Sequence, residues 1–394
     1  MSARFHAPLL LAVLAAFHPL IASAEPYTPA SGAQVLERLP ARLDPVQREL
    51  AQMRTGLAAN PSDLKRATAL AQRYIEQARR DGDPRYLGYA QAALTPWWRQ
   101  PRAAAPAEVL VLRATLAQST HDFGAALADL DEVLRRDSAN AQAWLTRATI
   151  QQVTGDYPGA RASCARLLGR APDLVLQTCL ASVGSVSGQA RSSYQNLDRL
   201  LAARPDAAAP LRAWAATLLA EMAERLGEHG AAETHYLAAL RADPEDSYLQ
   251  AAYADFLLER GRAPEVGRLL AERTANDALL LRYAIALQAA GSPQAAQQRA
   301  VLRARFEAAR RRGDVVHRRE EARFALDLAG DPREAVRLAK LNWTVQKEPA
   351  DLRILARAAA ASGDADAARL VREWLRSSRI EDRTLDAIAG ARAA

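Results

Sequence analysis

Stretches whose apolar residues follow a helical period alternate along this chain with short breaks, most of them centred on glycine. In residues 143–173, AWLTRATIQQVTGDYPGARASCARLLGRAPD, an aromatic-led stretch ends at Gly155-Asp156. A small residue, Ala160, follows five positions after the glycine, and Pro172 precedes the next stretch. The same interval separates Gly227 from Ala232, Gly291 from Ala296, Gly330 from Ala335 and Gly363 from Ala368. Looser copies place Val266 after Gly261 and Ser193 after Gly188, and His121 takes the glycine's place before Ala126. Each break predicts a helix–turn–helix unit, because glycine readily takes the left-handed conformation that closes a helix. The small residue lets the second helix press on the first. Proline cannot continue a helix, so Pro172, Pro205, Pro244 and Pro349 mark unit boundaries. Ala, Leu, Arg, Gln and Glu dominate the composition, and β-branched residues are sparse, which predicts an almost wholly helical chain.

With residues 107–140 as one unit, residues 141–174 form the next, both 34 long. Self-similarity at that period signals a helical solenoid. In the unit starting at Ala141, Trp144, Ala148, Gly155, Tyr157, Ala160 and Pro172 fall on an aromatic, small, Gly, aromatic, small, Pro pattern. Ala220, Gly227, Ala232, Tyr236, Ala239 and Pro244 match it in the unit starting at Ala213, as do Tyr253, Ala254, Leu257 and Gly261 in the next. On these residues the chain resembles the tetratricopeptide repeat family, although Cys164 stands where that family usually carries an aromatic. The resemblance implies an all-α, right-handed superhelical solenoid of antiparallel helix pairs over residues 61–376. Residues 25–60 are expected to form a lead-in and an N-terminal capping helix, and residues 377–394 a C-terminal capping helix and tail. Three places depart from the pattern. The small position after Gly82 is either Gly88 or Ala90, the first helix between 316 and 328 is short, and residues 206–212 (DAAAPLR) look inserted.

Residues 1–24 carry a basic start at Arg4, an apolar stretch and Ala22-Ser23-Ala24, an export-signal pattern that predicts cleavage after Ala24. The alternative is an uncleaved anchor, but His18 and Pro19 make the apolar run short for a span of ~20 residues. The expectation is a soluble periplasmic protein. The formal charge of +7 becomes +6 once Arg4 leaves, and only Lys65, Lys340 and Lys347 among the 52 basic residues are lysines. That arginine bias together with export argues against a nucleic-acid partner. The Arg-rich segment 299–323 reads first as a solvated helix face with a basic helix end. Its alternative reading is a weak contact with a membrane surface or acidic partner.

Little here suggests catalysis. His121, His229, His235 and His317 do not pair at metal-ligand spacing, and no nucleophile-elbow, Walker or dinucleotide motif occurs. No metal or cofactor is expected. Residues 129–134 (DLDEVL) read as a solvated acidic patch, and Trp97-Trp98 as a packing plug at a repeat junction. Cys164 lies eight residues before Pro172 and Cys179 seven after it. If Pro172 turns the chain between antiparallel helices, the sulfurs sit at similar height, which in an oxidising compartment predicts a disulfide. The alternative is two buried small hydrophobes.

The resemblance implies a concave groove lined by the first helix of each repeat, with positions two, five, nine and twelve of a unit facing into it. These are Trp214, Thr217, Glu221 and Glu224 in one unit, and Tyr248, Ala251 and Asp255 in the next. They suggest a non-enzymatic scaffold or assembly factor of the bacterial cell envelope that binds a protein or peptide segment of basic character. In a blander reading, Trp214 and Tyr248 only pack between repeats. A peripheral, membrane-associated accessory subunit of an envelope enzyme or transport complex is the alternative function.

Overall fold

A computed structural model describes residue 31 and residues 45–390. The chain divides into two units, residues 1–49 and 50–394. The expected signal at 1–24 and most of the lead-in lie outside the described residues.

Among the described residues there are 21 helices and no strand. After α1 (Pro45–Ala59), nine antiparallel pairs follow. They are α2 (Leu64–Asp81) with α3 (Arg85–Ala93), trailed by the single turn α4 (Thr95–Trp98); α5 (Ala107–Ser119) with α6 (Phe123–Arg136); and α7 (Ala141–Thr154) with α8 (Tyr157–Ala165). Next come α9 (Asp173–Ser185) with α10 (Ala190–Ala202), α11 (Ala209–Arg225) with α12 (His229–Ala242), and α13 (Ser247–Glu259) with α14 (Ala263–Leu270). The last pairs are α15 (Asp277–Ala289) with α16 (Ala295–Arg311), α17 (Arg318–Asp327) with α18 (Pro332–Trp343), and α19 (Pro349–Ser362) with α20 (Ala365–Ser378). Then α21 (Arg383–Gly390) covers the end of the array.

The turn residue of every pair has positive φ, as at Gly155 (89°) and Gly363 (77°). His121 takes the same conformation at 61°, which histidine tolerates better than branched residues do. Aspartates open many of the helices; Asp122, Asp156, Asp246 and Asp364 each accept a backbone N–H of the first turn. Of the small residues five positions after the turns, Ala126, Ala160, Ala232 and Ala335 are fully buried and Ala368 packs partly buried on the core, whereas Ala296 is exposed and does not play the expected packing role. Each first helix packs on its own second helix and on the first helix of the next pair, which stacks the pairs into a superhelix.

Four details sharpen the sequence reading. Ala90, fully buried, is the small packing residue of its pair, whereas nothing approaches the Gly88 position. Of the apparent insertion at 206–212, residues 209–212 form the first turn of α11 and so lengthen a helix rather than a loop. The expected solvated patch at 129–134 is corrected at its first residue. Asp129 is 2% exposed and bonds Arg102 (2.6 Å) and Arg113, while Leu130, Val133 and Leu134 are core. The C-terminal cap begins at Arg383, after α20 has run to Ser378.

The array also closes on itself. One core cluster joins α7–α9 to α17–α21, with Val183, Leu352, Leu355 and Val371 in the same apolar body. Lys347 donates its backbone N–H to the Val153 carbonyl (2.7 Å), and the Trp374 ring stands edge-on to Tyr157 at 6.0 Å. Glu381 accepts the backbone N–H of Ala190 (2.9 Å). Near the other end, Ser247 donates to the Arg79 carbonyl (2.6 Å). The C-terminal pairs thus rest on the middle of the array.

Candidate functional site: the inner groove

The stacked first helices α7, α9, α11, α13, α15, α17 and α19 surround a groove of about 1480 Å³. All seven residues expected to face a groove line it. Trp214 and Tyr248 are 37% and 56% exposed, one repeat apart on neighbouring helices. Thr217 is buried, and its hydroxyl donates within α11 to the Ala213 carbonyl (2.8 Å). Ala251 is buried at the wall, and its carbonyl accepts from Arg282 (3.3 Å).

The carboxylates are not left for a ligand in the way the sequence suggested. Glu221 accepts the Tyr248 hydroxyl (2.6 Å). Glu224 accepts the Tyr236 hydroxyl (2.8 Å) and the Arg353 guanidinium (2.7 Å). Asp255 is clamped between Arg282 (2.7 Å) and Arg323. The expected acidic wall for a basic segment is therefore corrected at Glu224 and Asp255, whose counter-charges come from later repeats of the same chain. Arg353 also reaches Asp382 (2.9 Å) and Glu259 (3.3 Å), tying α11, α13 and α19 to the approach to α21.

The electrostatics follow. Burial pushes the Glu221 carboxyl up, against the opposing Tyr248 hydrogen bond and Arg225 charge. The Glu221 charge, then burial, raises the Tyr248 phenol well above its ordinary range. Burial alone would raise Asp255, but Arg282 and Arg323 outweigh it and hold the carboxyl below its ordinary value.

In the segment 299–323, Arg303, Arg310, Arg311 and Arg312 are exposed on α16 and its basic end, in line with the solvated-face reading, while several other arginines turn inward. Arg305 pairs with Asp277 (2.7 Å), Arg310 with Glu321 (2.8 Å) and Arg319 with Glu348 (2.8 Å), and Arg323 reaches Asp255. Arg319 and Arg323 line the groove rather than a solvated face, which composition does not reveal. Cys164 and Cys179 are joined in a disulfide between α8 and α9, as their placement about Pro172 suggested. Trp97 and Trp98 lie at the junction before α5, where the Trp98 carbonyl accepts from Arg113 (3.1 Å). Among the described residues no cluster of three or more metal-ligating side chains occurs, and no helix is long and apolar enough to cross a membrane.

The helix pairs, their left-handed turns and the stacked first helices define an all-α solenoid of repeated helix pairs, which resembles a tetratricopeptide array. No protein-family model matches the sequence. No curated protein matches it either. Among solved structures, the fold is similar to PilW, titled a widely conserved type IV pilus biogenesis factor, at 21% identity and a TM-score of 0.41, over 51% of this chain and 94% of that one. It is similar to a tetratricopeptide repeat protein from Parabacteroides merdae at 15% identity and a TM-score of 0.38, over 69% and 98% of the two chains. It is also similar to yeast Tom70 at 12% identity and a TM-score of 0.43, over 88% and 85%. The class assignment rests on the repeats of this chain itself.

Proposed function

We propose that the chain is a non-enzymatic interaction scaffold or assembly factor of the bacterial cell envelope, which holds a segment of a protein partner in its inner groove. The observation that carries this reading is the exposure of Trp214 and Tyr248, one repeat apart, on the groove wall. Large aromatics supply contact area at low entropic cost and anchor many interfaces. Glu224 and Asp255 are already neutralised within the chain, so at this part of the wall the aromatic surface of Trp214 and Tyr248 is what a partner meets. The export signal at 1–24 supports the compartment, and a disulfide fits an oxidising one.

The test places a photo-crosslinking residue at 214, at 248 and, on the second helix α12, at exposed position 237, in cells carrying the native partner. The expected outcome is one shared adduct from 214 and 248 and none from 237. An adduct from 237 alone, or from none of the three, defeats the reading.

A further inference from the structure

One buried arginine in the groove forms no ion pair, although the Glu221 carboxyl one turn away feels its charge. Arg225, the last residue of α11, is 5% exposed and lines the cavity. One guanidinium nitrogen donates to the Ser185 hydroxyl on α9 (3.0 Å). Its Nε–H has no acceptor, and the side chain forms no ion pair among the described residues. Glu221, one turn earlier on the same helix, is held by Tyr248, and Glu224 by Tyr236 and Arg353. Among the other groove arginines, Arg323 faces Asp255 and Asp327 and Arg353 faces three carboxylates, while the less buried Arg260 also lacks an Nε–H acceptor but bonds His229 (2.6 Å) and lies over the Phe256 ring.

A guanidinium withdrawn from water with an N–H left unbonded and no ion pair is costly. The carbonyl end of α11 favours a cation there but provides no acceptor for the Nε–H. Such a group is well suited to a planar oxyanion, which accepts parallel N–H bonds from the guanidinium edge.

We infer that Arg225 receives the carboxylate of an aspartate or glutamate side chain carried by the segment in the groove. The bound segment is then acidic where it meets the end of α11, the reverse of the charge that a count of groove carboxylates suggests. This inference rests on the groove reading above, and the experiment separates the two.

The probe is the blocked tripeptide Ac-Leu-Glu-Leu-NH2, titrated into isotopically labelled mature protein while the arginine Nε–H nuclear resonances are followed. The Arg225 resonance is assigned by its loss in Arg225→Lys. Ac-Leu-Gln-Leu-NH2, sodium acetate and sodium phosphate form the other arms. The expected result is a saturable shift of the Arg225 resonance with the Glu peptide, none with the Gln peptide, and at least about tenfold weaker binding in Arg225→Lys and Arg225→Gln. No saturable shift, an equal shift with the Gln peptide, or tighter binding of phosphate or acetate than of the Glu peptide overturns the inference. The wild-type titration needs no variant, so a variant that fails to fold does not block the test. In the crosslinking experiment, an unchanged adduct at 248 in folded Arg225→Lys overturns this inference and leaves the groove reading standing. Loss of every groove adduct in wild type, with the peptide shift intact, does the opposite.

Discussion

At the scale of single residues, position 155 carries two constraints that its helical period does not show. The left-handed backbone at φ 89° disfavours any Cβ. An added Cβ would also lie 2.6 Å from the Trp374 ring, which belongs to the far end of the array. Gly363 shares the first constraint, at φ 77°, but nothing stands within 4 Å of its added carbon. Gly363→Ala is expected to lower stability by about 1–2 kcal/mol, the backbone cost alone. Gly155→Ala should lower it clearly more. Urea unfolding of the two variants checks this, and equal losses would mean that the Trp374 contact adds nothing. His235 gives a pH prediction. Burial lowers its pKa, with Asp198 opposing, and the ring faces the Tyr194 hydroxyl at 3.0 Å. The unfolded chain then binds the proton more readily near pH 6.5, so this contribution is present above that pH and is lost as pH falls through it. His121 and His229 are shifted the same way, also mainly by burial. Between pH 7.5 and 5.5 the melting temperature of the wild type should therefore fall relative to that of His235→Gln. The Asp351 carboxyl, raised by burial to about 6, acts in the opposite direction in both. An identical change in the variant would refute the assignment. The glycine turns were legible in the sequence because φ preference is local. The company that His235 and Gly155 keep was not, since Tyr194 and Trp374 lie 41 and 219 positions away.

At the scale of elements, the disulfide and the helix pairs tell a similar story. Cys164 and Cys179 close a loop of 15 residues between adjacent repeats, and both lie in the core. Replacing both with alanine is expected to cost about 3 kcal/mol in the chain-entropy model, measured by denaturant unfolding. Protein taken from its native compartment should show no free thiol on unfolding. Their proximity could be read from the sequence because a proline-marked turn between antiparallel helices sets the geometry. Asp129 shows where such local reasoning stops. A run of acids on a helix is usually solvated, as Asp131 is, yet Asp129 turns inward because Arg102 and Arg113, from the preceding turn and α5, supply both charge and hydrogen bonds. Pairing between elements overrides a composition rule within one.

At the scale of the array, Arg353 connects parts of the chain that are far apart in sequence. It bonds Glu224, Glu259 and Asp382, which lie on α11, on α13 and before α21. Arg353→Ala would strand largely buried carboxylates without their counter-charge. The expected loss is about 3–5 kcal/mol, with earlier proteolytic cleavage in the α18–α19 connection. Unchanged cleavage and stability would show that the apolar cluster alone docks the C-terminal pairs.

What the sequence determined by itself was the repeat: helix, left-handed turn, small packing residue, proline boundary, and the residues that share a face of each first helix. All of these are near-neighbour properties, set by backbone preference and a helical period within about one unit. The helical period puts Trp214, Thr217, Glu221 and Glu224 on one face and Tyr248, Ala251 and Asp255 on another, and it was the resemblance to tetratricopeptide repeats that implied both faces look into a groove, which they line. Only the tertiary structure decided which of those side chains remain open to a ligand. The turns of the superhelix bring Arg282, Arg323 and Arg353 onto the acids of α11 and α13 and leave Arg225 without an ion pair. Charge at the groove depends on which distant repeats meet there, and a count of residues within a unit carries no information about that meeting.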